Sequence, residues 1–234
     1  LGSYLWVQRY GPLQVAGLAR QAGYDVTLFN EGLDFAANLG MDMFVHEFYS
    51  ILARLQVMIG KISSAKTSLL RAKEYLALAK AMPYYHSQYL ISQSLCDLHR
   101  LESARQALPG KQTDALRKKA DRSISRMTKN ARKVACDLPE ALKIQGVFFW
   151  IVGQHRKAMQ SWQNSVRLCE QMGARVELSR VFLEVGQRLA ETGSRYHEFG
   201  GSNAGMLTQK ARSLFEELTL TCDLDELERS GRLD

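Results

Sequence analysis

Residues 142–165 read LKIQGVFFWIVGQHRKAMQSWQNS, and the order of large and small side chains in this stretch decides the fold. Gly153 divides it. Before the glycine, Leu142, Gly146 and Phe149 share one helical face; after it, Ala158, Trp162 and Ser165 do the same. A glycine at the division permits the left-handed residue that ends a helix. Small Gly146 and Ala158 let two helices approach closely. Leu142, Phe149 and Trp162 fill the space around that approach. The stretch therefore predicts an antiparallel helical hairpin with a short turn.

The same pattern extends in both directions. Around Gly60, Tyr49, Leu52 and Ala53 precede the glycine, and Ala65, Leu69 and Ala72 follow it. Further on, Phe182, Val185, Gly186 and Leu189 precede Gly193, but the matching Ala211, Phe215 and Leu218 come late, across an insertion. Residues 84–136 read as a longer pair in which Ile91, Ser92 and Leu95 fit loosely. Ala16 and Gly23 permit a degenerate further copy. The apolar period predicts helices at about 44–58, 62–81, 84–107, 112–136, 140–152, 155–172, 175–192 and 205–219. Their breaks are expected at Gly60, Pro83, Pro109-Gly110, Pro139, Gly153, Gly173 and Gly193. Asp223 to Glu228 adds one short terminal turn. Residues 12–22 and 25–39 read as helices, with an α/β remnant over 1–35 as the alternative, since Tyr24 to Phe29 has the propensity of a strand.

This repeated hairpin resembles the tetratricopeptide (TPR) repeat family, strongly around Gly153 and Gly60 and loosely over the rest of 41–220. Gln145 and Gln56 depart from the family's apolar preference. The resemblance implies an all-α fold, a right-handed superhelix of four to five antiparallel helical hairpins, in which each hairpin buries its apolar face on the next. It implies a concave groove that binds a protein or peptide. On the family's pattern the groove is lined by Glu47, Ser50, Arg54 and Val57, by Glu140, Lys143, Val147 and Trp150, and by Arg180, Leu183, Gln187 and Ala190. Trp150 is either a binding anchor there or packed against a neighbouring repeat. Leu33 to Gly40 and Arg167 to Ala174 look like helix ends of one subgroup, the repeats C-terminal to ATPase, cyclase or Ser/Thr kinase modules of signalling proteins. The expected organisation is a degenerate repeat or domain remnant at 1–40, a repeat domain at 41–220 and a tail at 221–234. The chain does not begin with Met, which leaves open whether a catalytic domain precedes residue 1. The reading is a non-catalytic scaffold, with no cofactor and no metal.

Composition narrows the alternatives. Apolar types make up 46% of the 234 residues and Pro only four, so the chain is globular and long helices are permitted. Four cysteines without a CxxC pair suggest reduced thiols in a cytoplasmic protein, with neither a zinc ribbon nor a redox motif. No apolar run approaches the length of a membrane span, and without a basic n-region followed by an apolar stretch a signal peptide is not expected. Cys96 and His99 share a helix face, but two ligands make a poor metal site. Gly200 to Gly205 is glycine-rich yet lacks the Gly-Lys-Ser/Thr of a P-loop, and reads as a flexible insertion.

The net charge of +7 is local. Lys111 to Lys133 holds nine basic and two acidic residues, and the other 22 basic and 22 acidic residues cancel. Arg122, Arg126, Lys129 and Lys133 step by three or four, forming one stripe on a helix, with Arg117, Lys118 and Lys119 around it. This basic patch either docks an acidic partner or nucleic acid or is a solvated outer face. Against nucleic acid, the segment has no aromatic for a base to stack on.

Overall fold

The computed structural model describes residues 41–76, 82–107, 110–191 and 194–230. The expectations for 1–40 and the breaks at Pro109 and Gly193 lie outside the described residues. Within them the chain is mostly helical, and it divides into two compact units, Leu1–Ile144 and Gln145–Asp234.

The first unit opens on α1 (Asp42–Met58) and α2 (Ile62–Glu74), which pack as a pair and both meet α3 (Pro83–Ala107). α3 in turn packs on α4 (Gly110–Ala131). A 3-10 turn, Ala135–Asp137, leads into α5 (Leu138–Ile151), within which the division falls. Two prolines expected as breaks sit instead inside helix starts. Pro83 is the first residue of α3 and Pro139 the second of α5, where the missing N–H has no intrahelical acceptor to lose. The helix expected to reach residue 136 ends at Ala131, because Val134 adopts an extended φ of −127° before the 3-10 turn.

The second unit contains the rest of α5, then α6 (His155–Met172), α7 (Arg175–Ala190), the strands β1 (Glu198–Phe199) and β2 (Ser202–Asn203), α8 (Ala204–Glu217) and α9 (Thr221–Ser230). α7 packs against both α6 and α8, and α9 covers α8. The insertion is thus a small antiparallel hairpin. Gly200 and Gly201 both have positive φ, 56° and 74°, as a two-residue primed turn demands. Asn203 then caps α8, its side chain accepting from the Met206 N–H at 2.9 Å. The short terminal turn expected near 223 is a full helix, held by Arg180, which donates twice to Asp223 at 2.8 and 3.0 Å.

One helix ending recurs. At Gly60, Gly153 and Gly173 the glycine has φ between 63° and 77°. Its N–H and the next one return to carbonyls of the last turn, as in Lys61 to Gln56, Gln154 to Phe149 and Ala174 to Cys169. This is the Schellman ending, and it lets the next helix start within a residue or two. Thr219 makes the same ending without a glycine, at φ 53°, with Leu220 N–H bonded to the Phe215 carbonyl.

Close approach explains the small residues. A Cβ on Gly146 would lie 2.2 Å from Trp162 Nε1. Trp162 is fully buried among Trp150, Ala158, Val181, Val185, Leu189, Phe199 and Leu207, and has nowhere to move. Two substitutions should therefore act in opposite directions in urea unfolding. Gly146→Ala is expected to cost about 2 kcal/mol through overpacking. Thr219→Gly is expected to add about 0.5–1 kcal/mol by removing left-handed strain. A neutral Gly146→Ala would show that α5 and α6 do not need this contact.

Candidate functional site

The positions expected to line a groove in the first unit divide sharply. Glu47, Val57 and Lys143 are half-buried. Ser50, Arg54 and Glu140 are interior, Arg54 being 5% and Glu140 3% exposed. Arg54 donates to Glu140 through two nitrogens at 3.1 and 2.5 Å, and to Gln88 Oε1 at 3.1 Å. The pair is bidentate and desolvated, the geometry in which a guanidinium and a carboxylate satisfy each other best. Ser50 donates to the His46 carbonyl at 2.6 Å, and its own carbonyl accepts from Ser92 at 2.8 Å. Arg54 and Glu140 join α1, α3 and α5, Ser92 holds the Ser50 carbonyl, and none of the three expected groove side chains is open to a ligand.

The reason lies in α3, which is buried along residues 86–92 although its sequence is polar there. Its interior polar side chains must find partners. Ser87 donates to the buried Asp137, and Asp97 meets Lys119 at 3.0 Å. A histidine pair, unforeseen from the sequence, sits at the start of α3. His46 Nδ1 lies 2.7 Å from the Ala72 carbonyl, which can only accept, so Nδ1 carries the proton. That leaves His46 Nε2 as the acceptor facing His86 Nδ1 at 3.4 Å. Tyr89 stacks on His86 with centroids 5.3 Å apart. Burial pushes His46 below its ordinary value of 6.5, against the opposing pull of the Ala72 hydrogen bond.

In the second unit most of the expected groove residues are also engaged. Trp150 is 3% exposed. Its Nε1 donates to Glu191 at 2.8 Å and its ring stacks on His155 at 4.3 Å. It is a core side chain and not an exposed anchor. Val147 packs on the same core. Arg180 is held by Asp223, and Leu183 packs on Ala211, Phe215 and Leu227. Gln187 and Ala190 are exposed.

The basic patch is on the surface. Arg117, Lys118, Arg122, Arg126 and Lys129 are exposed along α4, and Lys133 is exposed just beyond its end. The opposite side of α4, with Ala120, Ser123, Ile124, Met127 and Ala131, is buried. Lys118, Arg122, Arg126 and Lys129 therefore share the outer face, over about 16 Å of helix axis. Among the described residues none of these four makes an ion pair, whereas the adjacent Lys119 is held by Asp97. Lys129 in the last turn also complements the negative end of the helix dipole.

Cys96 and His99 do not converge. Cys96 is buried, and burial with the nearby Asp97 charge pushes its thiol up to about 11; His99 is exposed. No helix among the described residues is long and apolar enough to cross a membrane. Comparison of the chain with protein-family models, with curated proteins and with solved structures returned no match.

Two measurements test the interior network. Arg54→Ala leaves Glu140 and Gln88 without their buried partner and is expected to cost about 3–5 kcal/mol in urea unfolding. A loss under about 1 kcal/mol would mean that Glu140 finds water instead. The His46 effect has a definite sign. The unfolded histidine takes up a proton near pH 6.5 while the folded one resists it. Stability is therefore complete above that pH and falls as pH drops below it. Urea titrations from about pH 7.5 to 5 should show this decline in the wild type and a flatter profile in His46→Asn.

Proposed function

We propose that this chain is a non-catalytic helical-repeat scaffold, the regulatory or sensory arm of a larger signalling protein, and that it docks an acidic protein partner through the outer face of α4. The observation that carries the docking surface is the row Lys118, Arg122, Arg126 and Lys129, exposed on one face and without ion pairs among the described residues. Cations at this helical spacing meet carboxylates presented at the same spacing by a partner helix, an arrangement that steers encounter and fixes register. The face has no aromatic side chain, which favours an acidic polypeptide over single-stranded nucleic acid.

Support for a TPR-like right-handed superhelix comes from the glycine endings at Gly60 and Gly153, each followed at once by the next helix. It comes also from the small residues at helix crossings, with Ala53, Ala65, Ala158 and Ala211 fully buried. The subgroup resemblance at Arg167 to Ala174 is the basis for the signalling context. An open reading frame with no kinase, cyclase or ATPase module ahead of residue 1 would remove that part of the reading.

The docking surface is tested with a labelled acidic peptide of about 20 residues, followed by anisotropy at several salt concentrations. Affinity is expected to fall steeply with salt and to weaken at least about tenfold in Arg122→Glu/Arg126→Glu/Lys129→Glu. Binding indifferent to the triple change would sink the α4 surface. Tighter binding of an oligonucleotide of equal charge, with a log–log salt slope near −0.7 to −0.9 per phosphate contacted, would replace the acidic protein by nucleic acid.

A further inference from the structure

The start of α6 borders an open surface hollow of about 620 Å³. Its lining includes Gln154, His155, Arg156, Lys157, Arg195 and Tyr196, and no carboxylate. Arg156, Lys157 and Arg195 therefore border one hollow; among the described residues none of them makes an ion pair, while Lys157 Nζ lies 5.6 Å over the Phe149 ring. Elsewhere in the same unit Arg175, Arg180 and Arg188 are matched to Glu217, Asp223 and Glu184. The hollow thus has an unmatched positive charge that a bound anion would neutralise.

Two further features give the cavity a ligand chemistry. Tyr196 and His155 form an aromatic wall, their centroids 6.0 Å apart, with His155 stacked on the buried Trp150. Ser194 accepts from the Tyr196 N–H at 3.3 Å and donates to its carbonyl at 2.9 Å, which fixes the loop that presents the ring. The first turn of α6 has no side-chain cap and adds the positive end of an 18-residue helix.

We propose that this cavity binds a small organic phosphate with a planar ring, of the nucleoside monophosphate class. The phosphate lies between Arg156 and Arg195, and the ring stacks on Tyr196. The site is separate from the α4 face and does not depend on it.

The test is calorimetric titration of the full chain with AMP, ribose 5-phosphate and inorganic phosphate. AMP is expected to bind saturably, with a Kd below about 1 mM, ahead of ribose 5-phosphate and then phosphate. Arg156→Ala/Arg195→Ala should weaken all three at least about tenfold, and Tyr196→Ala should weaken AMP selectively. All these side chains are at or near the surface, and matching thermal melts establish that the variants fold. The triple α4 change should leave AMP binding intact. Absence of saturable AMP binding overturns the proposal, as does AMP binding lost with the α4 cations but kept without Arg156 and Arg195. Equal affinity for AMP and inorganic phosphate, unaltered by Tyr196→Ala, overturns the ring subsite.

Discussion

Arg54, from the middle of α1, reaches Glu140 at the start of α5 and Gln88 on α3. A charge pair this deep is costly to desolvate, and the cost is offset only when geometry and hydrogen bonds are complete. Here two nitrogens of the guanidinium meet the carboxylate, and the amide of Gln88 takes a further donor. The requirement constrains three helices at once. α1 must present Arg54 inward, α3 must keep Gln88 on the same side, and Pro139 must start α5 where Glu140 can meet them. Much of the polar interior of the first unit follows from the same need for partners, as Ser50, Ser92, Ser87 and Asp137 show.

The second unit is organised by volume instead. Its core is a cluster of aromatic and branched side chains around Trp162, and the controlling fact is that Gly146 has no side chain. Gly186 has a similar role where α7 meets α8, since a Cβ there would lie 2.9 Å from Thr208 Oγ1. Polar contacts in this unit lie nearer the surface, as with Arg180 and Asp223, and join helix ends more than helix middles. The two units thus reach compactness by different means.

What the sequence disclosed follows that difference. Gly60, Gly153 and Gly173 were readable as helix ends because only glycine takes a left-handed turn without strain. Thr219 was unreadable for the same reason, since a β-branched residue is the wrong signature for that backbone. The outer face of α4 was legible from the spacing of its cations alone. The groove was not. Ser50, Arg54 and Glu140 look solvent-facing because they are polar, and their partners lie up to 86 positions away, beyond the reach of any periodicity. The hollow at α6 was hidden likewise: Arg156 and Lys157 stand in the first turn after Gly153, but Arg195 and Tyr196 come from a loop after α7.

The paired indoles of the second unit have an optical consequence. Trp150 and Trp162 lie 5.5 Å apart, tilted by 39°. At that separation their transition dipoles couple, so the folded second unit is expected to carry an exciton signature in circular dichroism that vanishes when α5 and α6 part. Residues 41–144 contain no tryptophan. Apart from Trp6, tryptophan light therefore comes from the second unit alone, and the melting of that unit has a colour of its own.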